Sequence, residues 1–206
     1  MKIQIVPVGM LAANCCLVID EQAKACAVVD PGANAPRILE YLEKNGLRAE
    51  LILLTHGHFD HILAAPEIQR RTGAKLYIHE ADAHMLEQSY VGHAGYIREP
   101  YETPTIDGFL ADGMELPMAG LTFKVMNTPG HTPGSCVLLC GEHMLAGDTL
   151  FLESCGRVDL EGGSAADMRS SLQRLRDLPG DYTIYPGHED ITSLSHERVY
   201  NPYMPK

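Results

Sequence analysis

Apolar and polar positions alternate along Lys2–Pro7, and short β-rich runs follow at Cys15–Asp20 and Cys26–Asp30, the last broken by Pro31-Gly32. A period of two marks a half-buried strand, and Pro or Gly ends such a run. The period changes at Pro36–Lys44, where Ile38, Leu39 and Leu42 share one helical face and Asn45-Gly46 supplies the stop. Leu51–Leu54 is a continuous apolar run, as expected of a strand buried on both faces, and it leads straight into THGHFDH. Pro66 suits the first position of a helix over Pro66–Arg71, and Lys75–His79 reads as another strand. From Ser89 to Thr105 no period holds. A loop of that length in a small domain is functional or mobile, and Tyr90, Tyr96 and Tyr101 suit either a lid over a substrate or a solvated loop. Strands resume at Leu121–Asn127, Ser135–Cys140 and His143–Ala146. Ser164-Ala-Ala-Asp167 has the spacing of a capping box and opens a helix through Leu178. A last strand, Tyr182–Tyr185, ends at Pro186-Gly187-His188.

Strands outnumber helices and helices intervene in both halves, which predicts a layered α/β domain with mixed sheets. There is no internal repeat, low-complexity segment or linker, so residues 1–206 are expected to form one domain with a short tail from about 190. The tail, with Tyr200 and Tyr203 beside Pro202 and Pro205, suits packing on its own domain or on a partner subunit. The oligomeric state stays open.

Composition narrows the function. With 45% apolar and 21% charged residues the chain can build an ordinary globular core. The first residues lack the apolar core and small-residue cleavage site of a signal peptide, and no apolar run approaches the roughly 18–20 residues that span a bilayer. The expectation is a soluble, cytoplasmic protein without a membrane partner. A net charge of −11 sets the whole-molecule field against nucleic acid. The six cysteines, at 15, 16, 26, 136, 140 and 155, form no CxxC pair. They read as reduced thiols used as small apolar packing residues, with Cys155 the one to watch. Cys15 and Cys16, adjacent in a strand, should face opposite sides.

The chemistry lies in residues 55–61. His56 and His58 are two apart, so in an extended segment both imidazoles point one way and can reach one ion. Asp60 and His61 are adjacent and can aim at a second ion once the chain turns towards a helix. A lone histidine after a strand is ordinarily solvated or hydrogen-bonded. Four candidate ligands after an apolar strand are harder to explain so, and they exceed what one catalytic zinc uses, which argues for two metals. His and carboxylate together suit zinc, iron or manganese. His131 in TPGHTPGS, Asp148 in AGDT and His188 in PGHE repeat the arrangement, each after a strand among turn residues, where a rigid scaffold presents chemistry. His79, His84, His93, His143 and His196 lie outside these segments and read as structural or exposed.

Taken in order, THGHFDH, TPGHTPGS, GDTLF and PGHE resemble the signature of the metallo-β-lactamase superfamily, and the similarity extends to VVDPG at Asp30 and through nearly the whole chain. The resemblance implies an αββα sandwich, two mixed sheets face to face with helices outside and metals at one edge. It implies a first site of His56, His58 and His131, a second of Asp60, His61 and His188, and Asp148 bridging them. Asp30 would match a position that orients a ligand imidazole; on local grounds it is equally a turn-starting Asp before Pro-Gly. The implied cofactors are two divalent ions, zinc first and iron or manganese next, whose shared hydroxide attacks the substrate under the direction of Asp60.

Within the superfamily, GDTLFLESCGR, the nearby EGG and YPGHE are most similar to glyoxalase II, the hydroxyacylglutathione hydrolases, which cleave a thioester to a hydroxy acid and a thiol. Arg157 matches a basic residue that meets glutathione there. The chain departs from that pattern at Asp190 and at Val158–Leu160, where tyrosines are expected, and residues 189–206 are too few for the C-terminal helical domain. The tail HERVYNPYMPK resembles the short, single-domain branch instead. The expected activity is hydrolysis of a thioester or related small acyl substrate, with Arg157 as a substrate contact. A persulfide dioxygenase with one iron on His56, His131 and Asp148, and a lactonase or β-lactamase-like hydrolase, are the alternatives.

Overall fold

The computed structural model describes residues 1–87 and 101–204. Two six-stranded sheets pack face to face. The first runs in chain order: β1 (Lys2–Val8), β2 (Ala13–Asp20), β3 (Ala25–Val29), β4 (Arg48–Leu53), β5 (Lys75–His79) and β6 (Gly108–Leu110). It is antiparallel from β1 to β3 and parallel from β3 to β6. The second contains β7 (Glu115–Met118), β8 (Leu121–Asn127), β9 (Cys136–Cys140), β10 (His143–Gly147), β13 (Thr183–Pro186) and β14 (Thr192–Ser193), in the spatial order β14-β13-β10-β9-β8-β7. Only its β10–β13 pair is parallel. A separate hairpin joins β11 (Leu150–Phe151) to β12 (Ser154–Cys155).

The period-two pattern explains why the sheets stack. Leu51 and Leu53 of β4 point into the space between the sheets, with Cys16, Val18, Ala27 and Val29, against Phe123, Val125, Leu138 and Leu145 from the second sheet. Ile52 and Leu54 point the other way, onto α1 (Ala35–Lys44) and α3 (Ala65–Thr72) through Ile38, Leu42 and Ile68. β4 is thus buried on both faces, and Cys15 and Cys16 divide between the two cores. A third core joins the outer face of the second sheet to α4 (Ala165–Arg176) and α5 (Leu194–Tyr200) through Val137, Met144, Met168, Leu172 and Leu194. The layers are therefore helix, sheet, sheet, helix. No helix among the described residues is long and apolar enough to cross a membrane.

Several elements go beyond the sequence reading. β7 carries Pro117, and as the edge strand of its sheet it can lack an N–H donor without breaking a ladder. β6 is an edge strand of three residues, too short to show a period. The Ser164 hydroxyl accepts from Asp167 N at 3.2 Å, as a capping box requires, but α4 stops at Arg176 instead of Leu178. There the Arg198 guanidinium takes the carbonyls of Arg176, Leu178 and Gly180. The tail folds on its own domain: Leu194 and Glu197 of α5 are fully buried. Tyr101 is no lid, since it is buried in the first core and its hydroxyl donates to Leu86 O at 3.2 Å. Tyr90, Tyr96 and His93 lie outside the described residues.

Phe123 is fully buried at the sheet–sheet interface. Phe123→Ala should lower stability by about 3–5 kcal/mol, the usual cost of deleting a core aromatic. The same change at Phe109, 47% exposed, should cost under about 1 kcal/mol. Urea unfolding of the two variants measures the difference.

Candidate metal centre

Four strands, β4, β8, β10 and β13, lead into donors at one rim of the sandwich. β4 runs into Thr55, His56 and His58, and the single-turn helix α2 (Phe59–Ile62) then turns Asp60 and His61 sideways from that pair. His131 sits between β8 and β9, Asp148 follows β10, and His188 follows β13. The two sheets are joined at this rim: Asn14 of β2 donates its N–H to Gly187 O at 2.7 Å and its side-chain amide to Pro186 O and Glu189 O.

Among the described residues three groups of donors converge, His56–His58–His131, Asp60–His61–His188 and Asp30–His56–His61, and the first two, which share no residue, form two clusters. His58 Nδ1 lies 2.8 Å from His131 Nε2, and His61 Nε2 lies 3.2 Å from His188 Nε2. Asp60 Oδ2 is 3.2 Å from His188 Nε2. Asp148 stands between the clusters, its Oδ2 3.5 Å from His131 Nε2 and its Oδ1 3.5 Å from His61 Nε2. His56, His61 and His131 are almost wholly buried.

Groups behind the rings decide which nitrogen faces inward. A carbonyl can only accept, so His131 Nδ1 donates to Arg157 O at 2.8 Å and His188 Nδ1 to Leu11 O at 3.1 Å. His61 Nδ1 donates to Asp30 Oδ2 at 3.2 Å. Thr55 Oγ1 donates to Asp30 Oδ2 at 2.6 Å, which leaves its lone pair for His56 Nδ1 at 3.1 Å. In the neutral form of each of these four rings the lone pair therefore sits on Nε2, the nitrogen that faces the cluster. Asp30 has a full set of donors, since Thr55 N also reaches its Oδ1 at 2.8 Å. It is an orienting carboxylate, held in the left-handed region at φ 51 to reach behind both rings.

The crowding of imidazoles and carboxylates shifts their titration in opposite directions. Burial and the neighbouring imidazoles push His56 well below the ordinary histidine value, and burial with His131 holds His58 down to about 3. At His61 burial acts downward too, but Asp148, Asp30 and Asp60 outweigh it and raise the ring to about 10. Burial would raise Asp60, yet the His188 hydrogen bond and the His61 charge bring it to about 2. The hydrogen bond that Asp60 accepts from His188 raises that ring.

Whether these residues fit a metal can be tested on their unmet needs. Among the described residues three buried side-chain polar atoms have no hydrogen-bond partner, and two of them, His56 Nε2 and Asp148 Oδ1, face this cluster. Leaving such an atom unpaired costs about 1–3 kcal/mol, and a cation satisfies both. The donor set of imidazole and carboxylate suits zinc, iron or manganese. All seven residues read as ligands from the sequence meet here. Arg157 does so only in part: its carbonyl holds His131, while its exposed guanidinium pairs bidentately with Asp159 at 2.7 and 2.8 Å, near enough to His58 to help depress that ring. All six cysteines are free, and burial pushes their thiols up, Cys155 included.

Two supports escaped the sequence reading. Asp82, fully buried on the 3-10 helix Glu80–Leu86, accepts from Gly57 N, Thr132 Oγ1 and Gly134 N. Glu197 and Asn201, in the tail, hold the β11–β12 hairpin through Glu153 N, Ser154 O and Phe151 O. Neither belongs to a recognisable motif. The only signal for Asp82 is an acidic residue shortly after a strand, which is indistinguishable from a solvated helix start.

The family model of the metallo-beta-lactamase superfamily matches residues 8–188. A protein of Haemophilus influenzae named hydroxyacylglutathione hydrolase GloC is 33% identical over 99% of this chain and 98% of its own. Among solved structures, the BLEG-1 B3 metallo-beta-lactamase superposes with a TM-score of 0.91 at 30% identity over the whole of both chains. TTHA1623, solved in a di-iron-bound form, has a TM-score of 0.85 at 31% identity over 97% of this chain and 99% of its own.

Gly187 gives a sharp test of the geometry. A Cβ there would lie 2.2 Å from Asp148 Oδ1 and 2.8 Å from His61 Cε1. Gly187→Ala should push the carboxylate aside and cut bound metal to less than about half of wild type, as an unmade coordination shell implies, with the circular dichroism spectrum unchanged. Elemental analysis after dialysis reads the loss.

Proposed function

Because the chain belongs to the metallo-β-lactamase superfamily, we propose that it is a dinuclear metal-dependent hydrolase of glyoxalase II type, acting on small thioesters. The observation that carries the reading is Asp148, whose two oxygens lie at the same 3.5 Å from a nitrogen of each histidine cluster. In this reading His56, His58 and His131 hold one ion, Asp60, His61 and His188 the other, and Asp148 both. Two divalent ions so held, zinc in our assignment with iron or manganese accepted by the same donors, would supply an activated water at neutral pH and Lewis acidity toward a carbonyl.

The residues of the chain supply the rest. The rings are fixed in tautomer and orientation before substrate arrives, so little reorganisation accompanies reaction. Asp60, hydrogen-bonded to His188 and held anionic, accepts a hydrogen from the attacking water and aims its lone pair. A thiolate leaves readily, so no side-chain nucleophile is needed, and Cys155, half-buried with its thiol pushed up, is not one. Arg157 meets an anionic part of the substrate by exchanging its Asp159 partner for it. Unpaired thiols throughout suit a reducing compartment, and we assign the reaction to the cytoplasm. The likeness to GloC supports a hydroxyacylglutathione-type thioester as the substrate class.

Two other readings have an observation behind them. The likeness to the BLEG-1 B3 enzyme over both whole chains favours a lactam, and a panel of thioester and lactam substrates separates the two. His56, His131 and Asp148 would suffice for one iron in a persulfide dioxygenase. That assignment leaves the Asp60–His61–His188 cluster without a partner, which is why we prefer two ions.

Purified protein should carry about two transition-metal equivalents per chain, on the ligand count of a dinuclear site. Asp148→Ala should empty both sites and His188→Ala mainly the second. A single iron with no second ion under zinc supplementation would transfer the assignment to the dioxygenase. Cys155→Ser should retain most thioesterase activity, and a trapped acyl-enzyme at Cys155 would sink the mechanism. Arg157→Ala should lower kcat/KM for S-lactoylglutathione about tenfold, the worth of one charge-assisted contact of about 1.4 kcal/mol. An uncharged thioester should be unaffected, whereas equal losses on both substrates would remove Arg157 from the substrate site. Asp159→Ala, which frees the guanidinium, should raise kcat/KM for the glutathione thioester.

A further inference from the structure

Asp82 touches no donor of the centre, yet it joins the loops that carry one whole cluster. Its Oδ2 accepts from Gly57 N at 3.1 Å and Thr132 Oγ1 at 2.6 Å, and its Oδ1 from Gly134 N at 2.7 Å. Gly57 separates His56 from His58 at the end of the first sheet's β4. Thr132 and Gly134 follow His131 in the loop that enters β9 of the second sheet. One carboxylate therefore spans the seam between the sheets at the point where His58 Nδ1 and His131 Nε2 approach to 2.8 Å. The two glycines leave no room for a side chain of their own. A Cβ on Gly134 would come within 2.5 Å of Asp82 Cγ, and one on Gly57 within 2.6 Å of Met85 Cβ.

The chemistry of the three donors makes the residue type specific. Two are backbone amides, which cannot reverse their polarity, and the third hydroxyl is oriented by Ser135 Oγ at 2.8 Å. An ionised carboxylate accepts on both oxygens and satisfies all three donors. An Asn of the same shape has one accepting and one donating end, so it must turn an NH2 group on either the Gly57 loop or the Gly134 loop. Asp30 is built alike on the other side, with Thr55 N, Thr55 Oγ1 and His61 Nδ1, but it acts on ligand rings directly. Asp82 acts only through backbone and Thr132.

We propose that Asp82 is a positioning residue that fixes the gap between the His56–His58 pair and His131, and so sets the metal affinity of the first cluster while leaving the second alone. The proposal rests on the dinuclear reading given above. It makes Asp82 a support of the first cluster alone, whereas Leu11 backs His188 of the second and Asp30 backs His61 directly and His56 through Thr55.

The test is zinc titration of the metal-free, full-length protein against a chromophoric chelator, with cobalt(II) spectra to report coordination. Wild type should show two binding transitions. Asp82→Asn should weaken one of them by about 10- to 100-fold, the usual effect of losing an outer support, and leave the other in place. In a His188→Ala background, where the second cluster is crippled, Asp82→Asn should have its full effect. In a His58→Ala background, where the first is already lost, it should have none. A merely structural role predicts equal losses in both backgrounds, and that result, or no loss in either, overturns the proposal. Should Asp82→Asn fail to fold, Thr132→Val keeps the carboxylate and both amide bonds, and it should give a smaller loss with the same dependence on background. Equal losses with that variant refute the proposal in the same way. A wild-type chain without two transitions overturns the dinuclear reading itself, and this proposal with it; two normal transitions with no effect of Asp82 overturn the proposal alone.

Discussion

Five imidazoles and two carboxylates are brought within a few ångströms of one another in a largely buried volume, and the rest of the structure is organised around making that tolerable. Like dipoles and lone pairs converge, and water is excluded from much of the site. Among the described residues His56 Nε2 and Asp148 Oδ1 have no hydrogen-bond partner, and His61 lies among three carboxylates that raise it. Such an arrangement is unfavourable unless the donors are prevented from relaxing apart. The strands supply that rigidity, because each donor follows directly on a strand anchored in one of three apolar cores.

Backing groups then turn rigidity into chemical direction. Carbonyls at Leu11 and Arg157, the Thr55 hydroxyl and the Asp30 carboxylate each occupy the outer nitrogen of a ring, so the inner nitrogen has only its lone pair to offer. The supports extend further out than the ligands suggest. Glu197 and Asn201 of the tail hold the β11–β12 hairpin, and that hairpin leads to Gly156, packed against the backbone of Asp148, and to the Arg157 carbonyl behind His131. The last helix thereby belongs to the centre's scaffolding although it lies on the opposite face of its sheet.

The rim tells a different story from the interior. Donor geometry is fixed by buried contacts, whereas the side chains of Arg157 and Asp159 are exposed and paired with each other. Exposed ion pairs are weak and exchange partners easily. Substrate preference can therefore change at the rim without disturbing the metal site, consistent with a fold shared by relatives that carry a hydrolase name and a lactamase name.

The sequence by itself picked out the layers and the seven residues that the fold gathers at one rim. His56, His58, Asp60, His61, His131, Asp148 and His188 were legible because metal chemistry restricts residue type and strand geometry restricts spacing, so local pattern carries the signal. β4, β5 and β8 were legible for the same reason: their apolar periods are long enough to show. Edge strands such as β6, three residues long, and β7, which carries Pro117, were not, since such segments owe their conformation to a neighbouring strand. Whether the tail covers its own domain was likewise settled only by Leu194 and Glu197 finding burial there. Asp30 had two local readings until Thr55 and His61 came within reach of it, and Asp82 had no reading at all. A ligand is marked by what it is, but a supporting carboxylate is marked only by which distant N–H and O–H groups surround it, and those are assembled by the tertiary fold.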